Sequence, residues 1–307
     1  MPQHPRVVSL LPSATEIVAA LGMTDTLVGR SHECDFPAEV QRLPVVCRTR
    51  IDVSQSGAAV DRQVKELLRA GLSIFEIDAN RLRELRPSVI LTQTQCNVCA
   101  VTPQDIEAAL THDGEVGPCV LDLRPSRIEH LFMDIHTVAM ALHIENRGRD
   151  LVINLRANFE DLRQKMTTSR RKPTVACLEW FDPLMTAGNW IPDLVEIAGG
   201  VNVGSEPGQH SPWFAWEQLL EADPEVLVLM PCGWDLLRTR TEAVALTSDP
   251  RWSRLSAVRA DKVFVTDGNQ FFNRPGPRLL ESAQILAEIL HPEGCKFGHR
   301  GLYWEKL

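Results

Sequence analysis

Residues 145–168 read ENRGRDLVINLRANFEDLRQKMTT. Leu151, Leu155, Phe159, Leu162 and Met166 recur three or four positions apart, the spacing that lines one face of an α-helix, and charged residues fill most of the rest. Neither Gly nor Pro interrupts the run from Arg149 to Arg171. The pattern therefore predicts a single helix over 145–168, about 36 Å long at a rise of about 1.5 Å per residue. That is about the diameter of a small domain, so a rod of this length can join two lobes.

Both flanks of this helix alternate short β-rich runs with amphipathic stretches, the pattern of parallel sheets covered by helices. Upstream, strands are predicted over 6–10, 26–31, 74–77, 88–93 and 120–123, with helices over 60–70, 79–85 and 103–111. Pro12 followed by Ser13 and Glu16 reads as a capping box opening a helix that ends near Gly22. Ser126 and Glu129 read the same way, and residues 32–56 read as one long polar loop. Downstream, strands are predicted over 174–179, 226–230 and 262–266, and helices over 192–198, 215–221, 242–246 and 278–290. The expected fold is α/β: two Rossmann-like lobes with parallel sheets, 1–143 and 171–307, joined by a single long helix within 144–170.

Bulk properties exclude several function classes. The formal net charge is -8, and no Lys/Arg run is long enough to track a phosphate backbone, which argues against a nucleic-acid partner. The first residues lack a charged leader followed by a continuous apolar stretch, so the chain as given reads as cytoplasmic, or periplasmic if a leader has been removed. Eight cysteines in 307 residues are too few for a disulfide scaffold.

In open parallel sheets, ligands bind outside the carboxyl ends of the strands, so the loops leaving strands carry the candidate site. In the first half these hold Pro12, Ser13, His32, Glu33 and Cys34, and the pair Cys96 and Cys99. His32, Cys34, Cys96 and Cys99 together make a four-donor set with the softness that Zn²⁺ or another transition metal takes. The alternatives are a labile disulfide, or thiols that simply fill apolar space. In the second half, Trp180, Trp190, Trp213, Trp216, Phe271 and Phe272 gather near predicted strand ends, where flat side chains can stack on a planar ligand or can belong to the core. Asn273 and Arg274 offer amide and guanidinium donors in the last such loop, where Asn273 can alternatively cap the following helix.

Five segments, in order, carry a family resemblance: RVVSLLPSATEIVAALG (6–22), LVGRSHECDFP (27–37), RLRELRPSVILTQTQCNVCAV (81–101), FDPLMTAGNWIPDLVEIAGGVNV (181–203) and DPRWSRLSAVRADKVFVTDGNQFFNRPGPRLLESAQILAEILHP (249–292). Together they resemble the iron-siderophore and cobalamin class of substrate-binding proteins, above all its cobalamin-binding branch. The resemblance implies two Rossmann-like lobes on one rigid helix, a monomer, a corrinoid such as cobalamin or a related metal chelate bound in the interlobe cleft, and an ABC importer permease as partner. It also places His210-Ser211-Pro212-Trp213 at the cleft loop of the second lobe.

Motifs for catalysis are missing from the chain: it has no Gly-x-Ser-x-Gly elbow, phosphate loop, dinucleotide fingerprint or His-Glu-x-x-His. A binding protein is expected rather than an enzyme. The competing expectation is a cytosolic metal-binding protein or metal-dependent enzyme that uses the Cys/His set on the same fold.

Overall fold

A computed structural model describes residues 5–94, 101, 103–110, 117–167 and 171–307. The chain forms two compact units: unit 1 comprises Met1–Pro125 and Glu129–Asn154, and unit 2 comprises Ser126–Ile128 and Leu155–Leu307.

Unit 1 alternates strands β1 (Val7–Ser9), β2 (Leu27–Ser31), β3 (Val45–Thr49), β4 (Phe75–Ile77), β5 (Val89–Gln93) and β6 (Cys119–Leu123) with helices α1 (Pro12–Ala20), α2 (Gly57–Arg69), α3 (Ala79–Leu85), α4 (Pro103–Leu110) and α5 (Ile128–Ala141). The sheet order is β4-β3-β2-β1-β5-β6. β1 lies in the centre, parallel to both β2 and β5, and every residue of β1 and β5 is buried. Continuous apolar runs such as Val7-Val8 are what a strand covered on both faces requires.

Helix α6 (Glu145–Thr167) follows α5 after a turn in which His143 takes a left-handed φ of 58°. A β-carbon at Gly148 would lie 2.4 Å from the Ala139 side chain, so glycine here is what lets α6 pack closely on α5. The helix is continuous for 23 residues, matching the period read at 145–168, and the chain passes from unit 1 to unit 2 within it.

Unit 2 contains β7 (Thr174–Phe181), β8 (Leu184–Thr186), α7 (Ile191–Ile197), β9 (Val201–Asn202), α8 (Trp216–Ala222), β10 (Val226–Leu229), α9 (Leu236–Glu242), α10 (Val244–Thr247), α11 (Ser256–Arg259), β11 (Val263–Thr266), α12 (Leu279–Leu290) and β12 (Trp304–Lys306). Its sheet runs β12-β11-β10-β7-β8, with β9 also paired to β7. Its core gathers Leu178, Phe181, Leu227, Leu229, Trp234, Leu246 and Leu255.

The structure corrects four local expectations. Both sheets are mixed, because β4, β8 and β12 pair antiparallel at or near edges. Residues 32–56 include β3, whose short Val45-Val46 run becomes a strand only through its pairing with β2 and β4. Helix α1 has Leu11 at its N-cap with no side-chain cap, and Ser13 and Glu16 are buried within it. Pro12 at the first turn presets the helical φ and lacks the amide hydrogen a cap would satisfy, so a capping box is not needed there. The helix expected over 242–246 is instead the pair α9 and α10.

Candidate functional site

Each sheet has a switch point, where the chain leaves one side of the first strand and resumes on the other. In unit 1 it lies between β1 and β5, and in unit 2 between β7 and β10. Loops at the carboxyl ends of these strands are the favoured ligand positions in such sheets.

At the unit 1 switch point, α1 begins directly after β1, with Pro12 half-buried and Ser13 buried. The Thr15 hydroxyl lies 2.8 Å from Ser9 Oγ and 3.1 Å from Cys34 Sγ, all three buried. Burial pushes the Cys34 thiol up to about 12, and that of neighbouring Cys47 up to about 11. A thiolate is what a metal takes, whereas burial here favours the neutral thiol in the metal-free chain. His32 is half-buried, its ring 6.1 Å from that of Phe75, and burial lowers its pKa, with Arg48 and Arg30 acting in the same direction. Glu33 is exposed.

Arg30, which sequence reasoning missed, shapes this loop. Its guanidinium donates to the carbonyls of Ser31 at 3.0 Å, Cys34 at 3.1 Å and Gln41 at 3.0 Å. Cys96 and Cys99 lie outside the described residues, and among those described no group of three or more His, Cys, Asp or Glu is placed to hold a metal ion.

Two carboxylates beside the ends of β5 and β6 also escaped the sequence reading. Asp122 accepts from Thr94 Oγ1 at 2.7 Å and from Arg124 Nε at 2.7 Å through Oδ2, while its Oδ1 is buried without a hydrogen-bond partner. Asp134, on α5, is 8% exposed and its Oδ2 is likewise buried and unpartnered. Burial, with the nearby Asp122 charge adding to it, raises the Asp134 carboxyl to about 7.

At the unit 2 switch point, Trp180 from β7 and Trp234 after β10 meet with ring centroids 5.0 Å apart, and the Arg238 guanidinium lies 4.8 Å over Trp234. The signal for Trp234 and Arg238 was the Trp-Asp-x-x-Arg spacing at the start of α9, where Asp235 caps the helix by accepting from Arg238 N. Trp180 Nε1 is buried without a partner. Replacing Trp180 by phenylalanine deletes that orphaned donor while keeping a flat ring; we expect unchanged or slightly higher unit 2 stability, within about 1 kcal/mol, read as the urea midpoint of tryptophan fluorescence.

Several of the aromatic residues that the sequence offers either to a ligand or to the core are buried. Phe272 is 0% and Phe271 3% exposed, and Trp190, 7% exposed, donates from Nε1 to the Phe272 carbonyl at 2.8 Å. Burying these large apolar rings contributes to unit 2 stability. Asn273 spends both amide hydrogens on the carbonyls of Met230 at 3.0 Å and Gly268 at 2.8 Å, tying together the loops after β10 and β11, while Arg278 holds the N-cap of the helix that follows. Arg274 is buried, with Nη2 donating to Asn269 Oδ1 at 3.1 Å.

The loop carrying His210 and Trp213 has a different character. Gly188 packs against it so tightly that a β-carbon would lie 2.5 Å from the Gln209 carbonyl, and Ser211 bridges Gly188 N at 3.0 Å and Glu179 Oε2 at 2.6 Å. His210 is exposed. Trp213 bridges Met185 of β8 through its backbone and leaves its side chain 56% exposed. It lines a depression of about 690 Å³ with Phe181, Pro183, Trp216 and Arg251, the last lying 5.1 Å over the Trp216 ring. A depression of about 950 Å³, lined by Met166, His291, Cys295 and Trp304, opens below the start of β10 instead. Strand-end position favours the Trp213 depression as the ligand-facing one, although it is smaller.

Among the described residues no helix is long and apolar enough to cross a membrane. A model described as Periplasmic binding protein matches residues 7–269. The chain is 22% identical over 298 residues to an uncharacterized ABC transporter substrate-binding lipoprotein of Bacillus subtilis, covering 95% of this chain and 81% of that one. It is 24% identical over 290 residues to the vitamin B12-binding protein of Photorhabdus laumondii, covering 94% and 89%. A periplasmic heme binding protein from Pseudomonas aeruginosa shares the fold, with a TM-score of 0.71 at 19% identity over 95% of this chain and 94% of that one. The two-lobe α/β architecture and the family match agree, and the chain belongs to the periplasmic binding protein family, the non-enzymatic substrate-binding components of ABC importers.

Proposed function

We propose that this protein captures cobalamin or a related corrinoid, using the strand-end loops of its units, and hands it to an ABC importer permease. The observation that carries the reading is Trp213: a large flat indole, 56% exposed, on a loop braced by Gly188 and Ser211 and next to Trp216. An exposed aromatic face on a rigid support is suited to a flat, largely apolar macrocycle, and its pre-ordering lowers the entropy cost of binding. Relatives named for vitamin B12 and for heme support a flat metal macrocycle as the ligand class. In unit 1, half-buried His32, whose pKa burial lowers, and exposed Glu33 are polar groups available on the loop after β2. Delivery to an importer requires capture outside the inner membrane, so we place the protein there, in line with relatives named periplasmic or lipoprotein.

Isothermal titration with cyanocobalamin, haem and a ferric siderophore in parallel tests the reading. Saturable heat with cyanocobalamin is expected, and Trp213→Ala should weaken it by about tenfold or more, the order that loss of a stacked aromatic contact produces. Silence for all three ligands removes the proposal, and saturation by haem alone transfers it to porphyrins.

A further inference from the structure

Residues 130–143 read HLFMDIHTVAMALH and hold three of the chain's nine histidines and two of its seven methionines. Helix α5 buries Leu131, Phe132, Ile135, Val138 and Ala139, which is the face its apolar spacing requires. Met133 and Met140 lie off that face, 64% and 53% exposed, and His136 between them is also exposed. Apolar side chains are thus present where packing does not call for them, one turn on either side of an imidazole.

From this arrangement we propose that α5 carries a surface site for a soft monovalent cation, Cu(I) or Ag(I), with His136 as the central donor and the Met133 and Met140 thioethers flanking it. Residues three and four apart on a helix are neighbours on its surface, so Met133 reaches toward His136 and His136 toward Met140. The two methionines are seven residues apart, about 10.5 Å along the axis at a rise of about 1.5 Å per residue. Two long flexible side chains can close that span over a metal seated on the imidazole. Thioether sulfur selects soft cations, and the set of two sulfurs and one nitrogen suits a three-coordinate ion while discriminating against Zn²⁺, Mg²⁺ and Ca²⁺. Thr137, beside the same stripe, spends its hydroxyl on the Met133 carbonyl at 2.9 Å and is not needed as a donor. All three donors belong to unit 1.

The test is a titration of the full chain with Ag(I), a redox-inert probe, in chloride-free buffer after accessible thiols have been blocked with N-ethylmaleimide. The readout is the ¹³C resonances of the methionine methyl groups and the histidine rings. The Met133 and Met140 methyls should shift together with the His136 ring and saturate at one equivalent. His136→Asn, and separately the Met133→Leu/Met140→Leu pair, should each weaken binding by about tenfold or more, and circular dichroism should stay unchanged because these positions are exposed. Methyl groups that do not move, or that shift independently of each other and of His136, would overturn the site.

Discussion

Unit 2 is expected to lose about 3–5 kcal/mol of stability when Glu288 becomes alanine, the scale of several buried donors losing their acceptor at once. Glu288 projects from α12 and is 4% exposed. Its Oε1 accepts from the amides of Phe297, Gly298 at 2.7 Å and His299 at 3.3 Å, and its Oε2 from Trp304 Nε1 at 2.7 Å. One carboxylate therefore holds the segment that returns to the sheet as β12. Burial pushes its pKa up, but the hydrogen bond from Trp304 and those from the three amides outweigh burial and hold it below the usual value of 4.5. Because the folded pKa is depressed, this stabilisation is present above the unfolded value and disappears as pH falls through the folded one. All seven tryptophans lie between residues 180 and 304, so their fluorescence reports on unit 2. A urea titration followed by fluorescence should show the lowered midpoint at pH 7, an intermediate one for Glu288→Gln, and a shrinking gap between wild type and Glu288→Ala as pH drops below the usual value of 4.5. An unchanged midpoint in the alanine variant would show that the carboxylate is dispensable.

The second large effect belongs to Asp134 and has the opposite sign. Its folded carboxyl, raised to about 7, holds a proton through a range in which the unfolded chain, at 3.8, has released it. Between these values the native state binds more protons than the unfolded state, so unit 1 loses stability as pH rises and the loss levels off above about 7. Integrated from pH 5 to pH 8 this amounts to about 2–3 kcal/mol. Asp134→Asn keeps the shape, cannot ionise, and should abolish that slope. Tryptophan fluorescence does not follow unit 1, so the measurement is amide hydrogen exchange in α5 and β6 at the two pH values. Equal pH dependence in wild type and variant would refute the assignment.

How much of the protein was legible before its structure follows from the range of the forces involved. The helix over 145–168 was readable almost to the residue, since a 3.6-residue period, unbroken by Gly or Pro from Arg149 onward, needs no distant partner to declare itself. The central strands β1, β5, β7 and β10 were readable because burial on both faces demands continuous apolar runs. β3, β8 and β12 were not: each is three to five residues long and becomes a strand only when another supplies the hydrogen bonds. The candidate site divides along the same line. The aromatic enrichment of unit 2 could be seen in the residues, but Phe272 and Trp213 have the same character on paper, and only packing sends one to 0% exposure and leaves the other at 56%.

By itself, then, the order of residues determined the α/β class, the two-lobed plan, the long helix and the family, all of which rest on local periodicity and on motifs in series. Tertiary structure alone decided which thiols and rings are core and which face water, because a side chain's protonation and availability depend on neighbours far along the chain. Burial raises the Cys34 thiol even though the Thr15 hydroxyl acts against it, and burial, with the Asp122 charge adding to it, raises the Asp134 carboxyl. Desolvation and charge act through space, and no spacing in the sequence records them.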